Sequence, residues 1–136
     1  VHGLVVSGDI GEFIWGCDGF DLSTSSDFGA GANNTNLILE DECSESSNTA
    51  AQAARGYMPT VNDTTWYLPS REDFRNIYNN LASSGLGGFN PVFYWTSSES
   101  ESSPNQNAWM FNNVTAEQME LLSKYNTANV KAVKKF

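Results

Sequence analysis

The densest set of oxygen and amide groups in the chain falls between Ser97 and Asn107, where Glu99, Glu101, Asn105, Gln106 and Asn107 cluster. Carboxylates with side-chain amides offer the acceptors and N–H donors that sugar hydroxyls or a calcium ion require. Calcium is the one cofactor these residues suggest. A second set, Lys124, Lys131, Lys134 and Lys135, crowds the C-terminus and suits an anionic glycosaminoglycan. It ranks behind the loop because the formal charge is −9. Catalytic patterns are sparse. The only histidine, His2, has no Ser or Cys nucleophile at a diagnostic spacing. One His and two Cys cannot make a zinc set. Gly29-Ala30-Gly31 lacks the third glycine and the βαβ setting of a phosphate loop. Glu40-Asp41-Glu42 offers paired acids for glycoside hydrolysis, but among 16 acids some neighbours are inevitable. The residues read as a non-enzymatic domain.

Composition sets the surroundings. At 136 residues the chain is one domain, 1–136, and should bury about two thirds of its unfolded surface. No apolar run approaches the ~18 residues of a membrane span. The chain opens at Val1 without a signal-peptide pattern, as expected of a processed product or a module of something longer. Charged residues are 17%, while 16 Ser, 15 Asn and 9 Thr supply neutral polarity, which suits an extracellular or virion setting. Nine acids precede the first base, Arg55, so the basic stripe a nucleic-acid binder needs is missing. In such a setting Cys17 and Cys43 are expected to form a disulfide.

The elements that position these groups follow from pattern. Leu4-Val5-Val6 and Phe13-Ile14-Trp15 read as a hairpin, and Gly16 to Ala32 as a long loop. Asn33 or Asn34 is placed to cap a short helix through Leu37-Ile38-Leu39. Ala50 to Tyr57 reads as a helix stopped near Gly56. Pro69 keeps Leu68 extended after Trp66-Tyr67, and Ser70 caps a helix whose Phe74, Ile77, Tyr78 and Leu81 share one face. Phe93-Tyr94-Trp95 and Ala108 to Phe111 read as strands flanking a loop over Ser97 to Asn107. Val130 to Lys135 reads as a last strand paired with the first. Trp66, Trp95 and Trp109 are assigned to the core, and Glu99 is also a candidate buried acceptor of backbone N–H groups. The class is α+β, with short central helices and long polar loops.

Several motifs run in one order: His2-Gly3-Leu4, Trp15-Gly16-Cys17, Gly29-Ala30-Gly31-Ala32-Asn33-Asn34-Thr35, Ala50-Ala51, Trp66-Tyr67-Leu68-Pro69-Ser70, Gly87-Gly88-Phe89, Tyr94-Trp95-Thr96-Ser97-Ser98-Glu99, Ala108-Trp109 and Val130-Lys131-Ala132-Val133-Lys134-Lys135-Phe136. Together they resemble the C-terminal domain family of the Legionella collagen-like adhesin, found in bacterial surface proteins and phage fibres. The resemblance implies a C-type-lectin-like fold, related to formylglycine-generating enzymes, and adhesion to host glycans or a cell-surface receptor. Lys131 and Lys134 stand where that family has Arg, and with the loop set they complete the expected ligand-binding residues. The family's hairpin falls on Thr115 to Leu122, despite the helix propensity of that segment. Its members carry a further strand upstream. Without it the Leu4–Val6 edge should be covered by another copy, by parent sequence or by the C-terminal strand, and a homotrimer is the first choice. The alternative function is a structural subunit of a fibre whose contacts are with its own copies.

Overall fold

The N-terminal and C-terminal segments form one long antiparallel ribbon that switches between two sheets. The structure, a computed structural model, describes residues 3–41, 43 and 48–136, so His2 and Glu42 lie outside the described residues. Strand β1 (Leu4–Val6) pairs with β7 (Val133–Lys135), and β2 (Glu12–Ile14) pairs with β6 (Thr127–Asn129). Between them Ser7 N donates to Ala132 O and Ile10 N to Val130 O. The first and last strands therefore pair, as expected. The hairpin expected of β1 with β2 does not form. The two runs follow one another along the same ribbon, and Gly11 at φ 143° lies in the stretch where the register shifts. The expected last strand is likewise divided, with Val130 to Ala132 bridging the sheets.

The larger sheet has the order β2-β6-β3-β4-β5, with β3 (Phe93–Glu99), β4 (Asn107–Asn112) and β5 (Gln118–Ser123). All its pairs are antiparallel except β3 with β6. The β4–β5 hairpin prevails over local helix propensity because it sets Trp109 opposite Leu121 and Phe111 opposite Met119. Its turn is held by Asn112 Oδ1, which accepts from the N–H groups of Val114 and Thr115.

Among the described residues three α-helices pack on the sheets. In α3 (Arg71–Leu81), Ser70 Oγ accepts from Asp73 N at 3.1 Å while Asp73 Oδ2 accepts from Ser70 N at 3.0 Å, the reciprocal cap read from the sequence. Phe74 and Tyr78 then stack on Phe111, with centroids 5.3 and 4.4 Å apart. Helix α2 (Ala50–Arg55) ends at Gly56 as expected, and its cap, Thr49 with Gln52, was not foreseen. Helix α1 (Gly31–Glu40) begins before the expected cap. Asn34 is fully buried and clamps the long loop instead, accepting from Ser25 N and donating to Ser25 O and Ser97 Oγ. At Gly31 an added Cβ would meet Asp73 Oδ2 at 2.5 Å and Leu68 O at 2.9 Å, so only glycine fits the start of α1.

Cys17 and Cys43 form the expected disulfide, their Cα atoms 4.9 Å apart, tying the start of the long loop to the end of α1. Trp15, Trp66 and Trp95 are buried in the main core with Ile38, Leu68, Met110 and Val130. Trp109 is only half-buried, which corrects its assignment to the core. Among the described residues no helix is long and apolar enough to cross a membrane.

Candidate functional site

The expected ligand loop is shorter than the sequence suggested, because β3 continues through Ser97 and Ser98 to Glu99. The buried hydroxyls of this polar strand are satisfied by distant backbone: Thr96 Oγ1 donates to Trp109 O, and Ser98 Oγ to Ser25 O. Glu99 is 4% exposed. Its two oxygens accept from Leu22 N, Thr24 N and Thr24 Oγ1, and from Lys124 Nζ at 2.8 Å. An ammonium thus stands where a calcium ion would need to bind, and these oxygens do not fit the metal. Among the described residues no group of three or more His, Cys, Asp and Glu is arranged to hold a metal.

Lys124 is fully buried, donates also to Phe20 O, and lies 4.5 Å from the Trp15 ring centre. Burial pulls its pKa down, and Glu99 only partly restores it. Lys131 is also fully buried. It meets Asp9 at 3.0 Å and donates to Ser7 O and Gly87 O. Glu99 and Lys131, both expected in the binding set, are thus held inside the scaffold by these partners.

The remaining loop residues lie at the surface but do not converge. Glu101 accepts from Trp109 Nε1 and Ser26 Oγ, both at 2.9 Å, and stands 3.6 Å from Arg71. Partial burial pushes its pKa up, but these neighbours outweigh that and hold it below the usual carboxylate value. The Arg71 guanidinium lies 4.9 Å from the Trp109 ring centre and closes the cluster. Asn105 and Gln106 are exposed, and Asn107 is half-buried at the start of β4. A cavity of about 230 Å³ beside this loop is lined by Asp21, Ser23, Thr24, Glu99, Ser100, Glu101 and Pro104, without the three amides.

A different site emerges from the cations. Among the described residues, Arg71, Arg75, Lys124, Lys131 and Lys134 each lie within 4.0 Å of a carboxylate, and of the seven bases only Arg55 and Lys135 do not. In a chain with 16 acids and 7 bases this is unexpected. Both unpaired cations line one open cavity of about 420 Å³, together with Lys134, Tyr67, Asn36, Thr64 and Thr65. Segments far apart in the chain assemble it: α1 supplies Asn36, α2 ends at Arg55, the loop before Trp66 brings the threonines, and β7 brings both lysines.

Arg55 is held in place while keeping donors free. Its Nε donates to Trp66 O at 3.0 Å and its Nη2 to Asn36 Oδ1 at 2.7 Å. A guanidinium has five N–H groups, so three remain for an incoming anion. Partial burial without a carboxylate lowers its pKa from the ordinary value. Lys134 is shared with Asp63 at 2.7 Å. That bond and those from Thr65 keep the Asp63 carboxyl well below the usual range, so the aspartate stays ionised. Three cations and one bonded aspartate leave the cavity with a local surplus of two positive charges. The sequence analysis offers Lys134, and in its second-ranked C-terminal set Lys135 as well, but not Arg55. The available signal was that Arg55 has no acid three or four residues away on its helix.

Comparison of the chain with family models and with curated proteins finds no match in either. The fold and the cavity therefore define it only as a disulfide-tied α+β domain with a basic pocket on an acidic body.

Proposed function

We propose that this is a non-enzymatic recognition module of the extracellular or cell-surface kind that binds acidic glycans through Arg55, Lys134 and Lys135. One observation carries the reading: the two cations without a carboxylate partner share a single cavity. Leaving charges uncompensated is costly for a half-buried guanidinium, and an anion from outside would supply the missing partner. The lining supports binding over turnover. It offers donors, hydroxyls and an amide. The lining hydroxyl bonded to a carboxylate, that of Thr65, meets Asp63, which Lys134 already holds well below the usual range and which is therefore a poor base. Exposed Thr64 and Asn36 are suited to sugar hydroxyls. The disulfide is compatible with an oxidising compartment, and the resemblance to adhesin C-terminal domains points the same way.

Screening the intact chain against immobilised neutral and acidic glycans tests this. Acidic glycans are expected to be retained, and Arg55→Ala or Lys135→Ala to weaken retention about tenfold or more, as for loss of a charged hydrogen bond. Equal retention of neutral glycans, or indifference to both substitutions, would refute the site. The second reading, a fibre subunit, draws on β1. Among the described strands it pairs with β7 alone, and Val5 is exposed beside the other edge. Trimerisation through that edge remains part of the proposal.

A further inference from the structure

A smaller cavity of about 240 Å³ adjoins the basic one at shared residues and is lined by Gly3, Leu4, Phe28, Gly29, Tyr67, Asp73 and Lys135. Tyr67 and Lys135 line both. Tyr67 is only 3% exposed, yet among the described residues its hydroxyl has no hydrogen-bond partner. Its oxygen is not sealed in the core, and Tyr67 lines both cavities, so the hydroxyl is open to a ligand that enters them. Burial, with the nearby Asp73 charge, pushes its pKa up to about 12, so it remains protonated and able to donate.

The two cavities differ in character. Apart from Asp73 and Lys135, the smaller one presents glycine backbone, Leu4 and aromatic rings, and Phe28 at its rim is 60% exposed. The Asp73 carboxylate is engaged by the N–H groups of Gly29, Gly31 and Ser70. Its charge disfavours an acid on this side and directs one toward Arg55 and Lys135.

Resting on the acidic-glycan reading, we infer that the ligand is an N-acylated acidic sugar. Its carboxylate sits among Arg55, Lys134 and Lys135, its acyl group lies in the cleft beside Phe28, and the Tyr67 hydroxyl donates to it between the two. A peptide ending in an apolar residue also joins a carboxylate to an apolar group, but it would need a free strand edge for its backbone. Here β7 is flanked by β1 on one side and by Tyr67 on the other.

The test is calorimetric titration of the intact chain with N-acetylneuraminic acid, glucuronic acid, N-acetylglucosamine and N-acetyl-leucine. N-acetylneuraminic acid should bind about tenfold more tightly than glucuronic acid, a ratio in keeping with burial of a small acyl group, and N-acetylglucosamine should bind more weakly than either acid. Phe28→Ala, at an exposed position, should remove the advantage of the acylated acid and leave glucuronic acid unchanged. Lys135→Ala should weaken both acids. Equal affinity for the two acids, still sensitive to Lys135→Ala, overturns this inference and leaves the acidic-glycan reading standing. Tighter binding of N-acetyl-leucine than of N-acetylneuraminic acid overturns the inference in favour of a peptide terminus. Binding of neither acid overturns both.

Discussion

Glu99→Gln is expected to lower the thermal midpoint by about 10–20 °C, because removing one member of a buried ion pair costs about 3–5 kcal/mol in a domain of this size. The pair is deeply buried: the side chains of Lys124 and Glu99 are 0% and 2% exposed. The substitution leaves the ammonium with Phe20 O and the Trp15 ring, and sets an amide N–H₂ among groups that already donate. The effect has a pH signature. Burial already lowers the Lys124 pKa, and without the carboxylate it should fall further. Between that lowered value and the ordinary 10.5 of the unfolded chain, the unfolded state binds more protons, so the variant should regain stability as pH rises through this window. Acidic-glycan binding by the folded variant should be unchanged, since Glu99 does not line the basic cavity. Thermal melts at several pH values check both statements. A loss of only a few degrees, or one independent of pH, would show that Glu99 does not serve as the counter-ion.

Reduction of the Cys17–Cys43 disulfide is the second large effect. The bridge closes a loop with a sequence separation of 26. In the chain-entropy description such a closure restricts the unfolded chain by about 3.5 kcal/mol, or about 10–15 °C in midpoint for a domain of this size. The loss should be larger than for a bridge between rigid elements. Residues 18 to 30, which it anchors, are held mainly by hydrogen bonds to Glu99, Asn34 and Asp73. Melting with and without a reductant measures it, and the Cys17→Ala/Cys43→Ala double variant should reproduce the reduced value. An unchanged midpoint on reduction would remove the bridge from the stability account.

These two effects also mark where sequence and structure part. Helix α3 was legible because its cap and apolar face are local. The β4–β5 hairpin and the pairing of terminal strands followed from the family resemblance and from patterning. Ser97-Ser98-Glu99 read as a loop because a buried polar strand looks like a surface one until its partners are known, and those partners, Leu22, Thr24 and Ser25, are more than 70 positions away. Lys131 misled for the same reason, since Asp9 and Ser7 lie at the other end of the chain. Leu4–Val6 and Phe13–Trp15 are both genuine extended runs, but nothing local distinguishes a hairpin from two strands paired in turn with the C-terminus. The basic cavity was the hardest to read, because four separated segments build it. The charge pattern alone pointed to the C-terminal lysines, and only the pairing of every other cation isolates Arg55 and Lys135.

Ligand contact at that cavity is tested most directly by amide chemical-shift mapping of the intact chain during titration with glucuronic acid. Shifts concentrated at Asn36, Arg55, Thr64 to Tyr67, Lys134 and Lys135 are the predicted result, absent in Lys135→Ala at the same concentration. Shifts confined to Ser100 to Asn107 and Trp109, with the Arg55 cavity silent, would contradict it and return the binding surface to the loop.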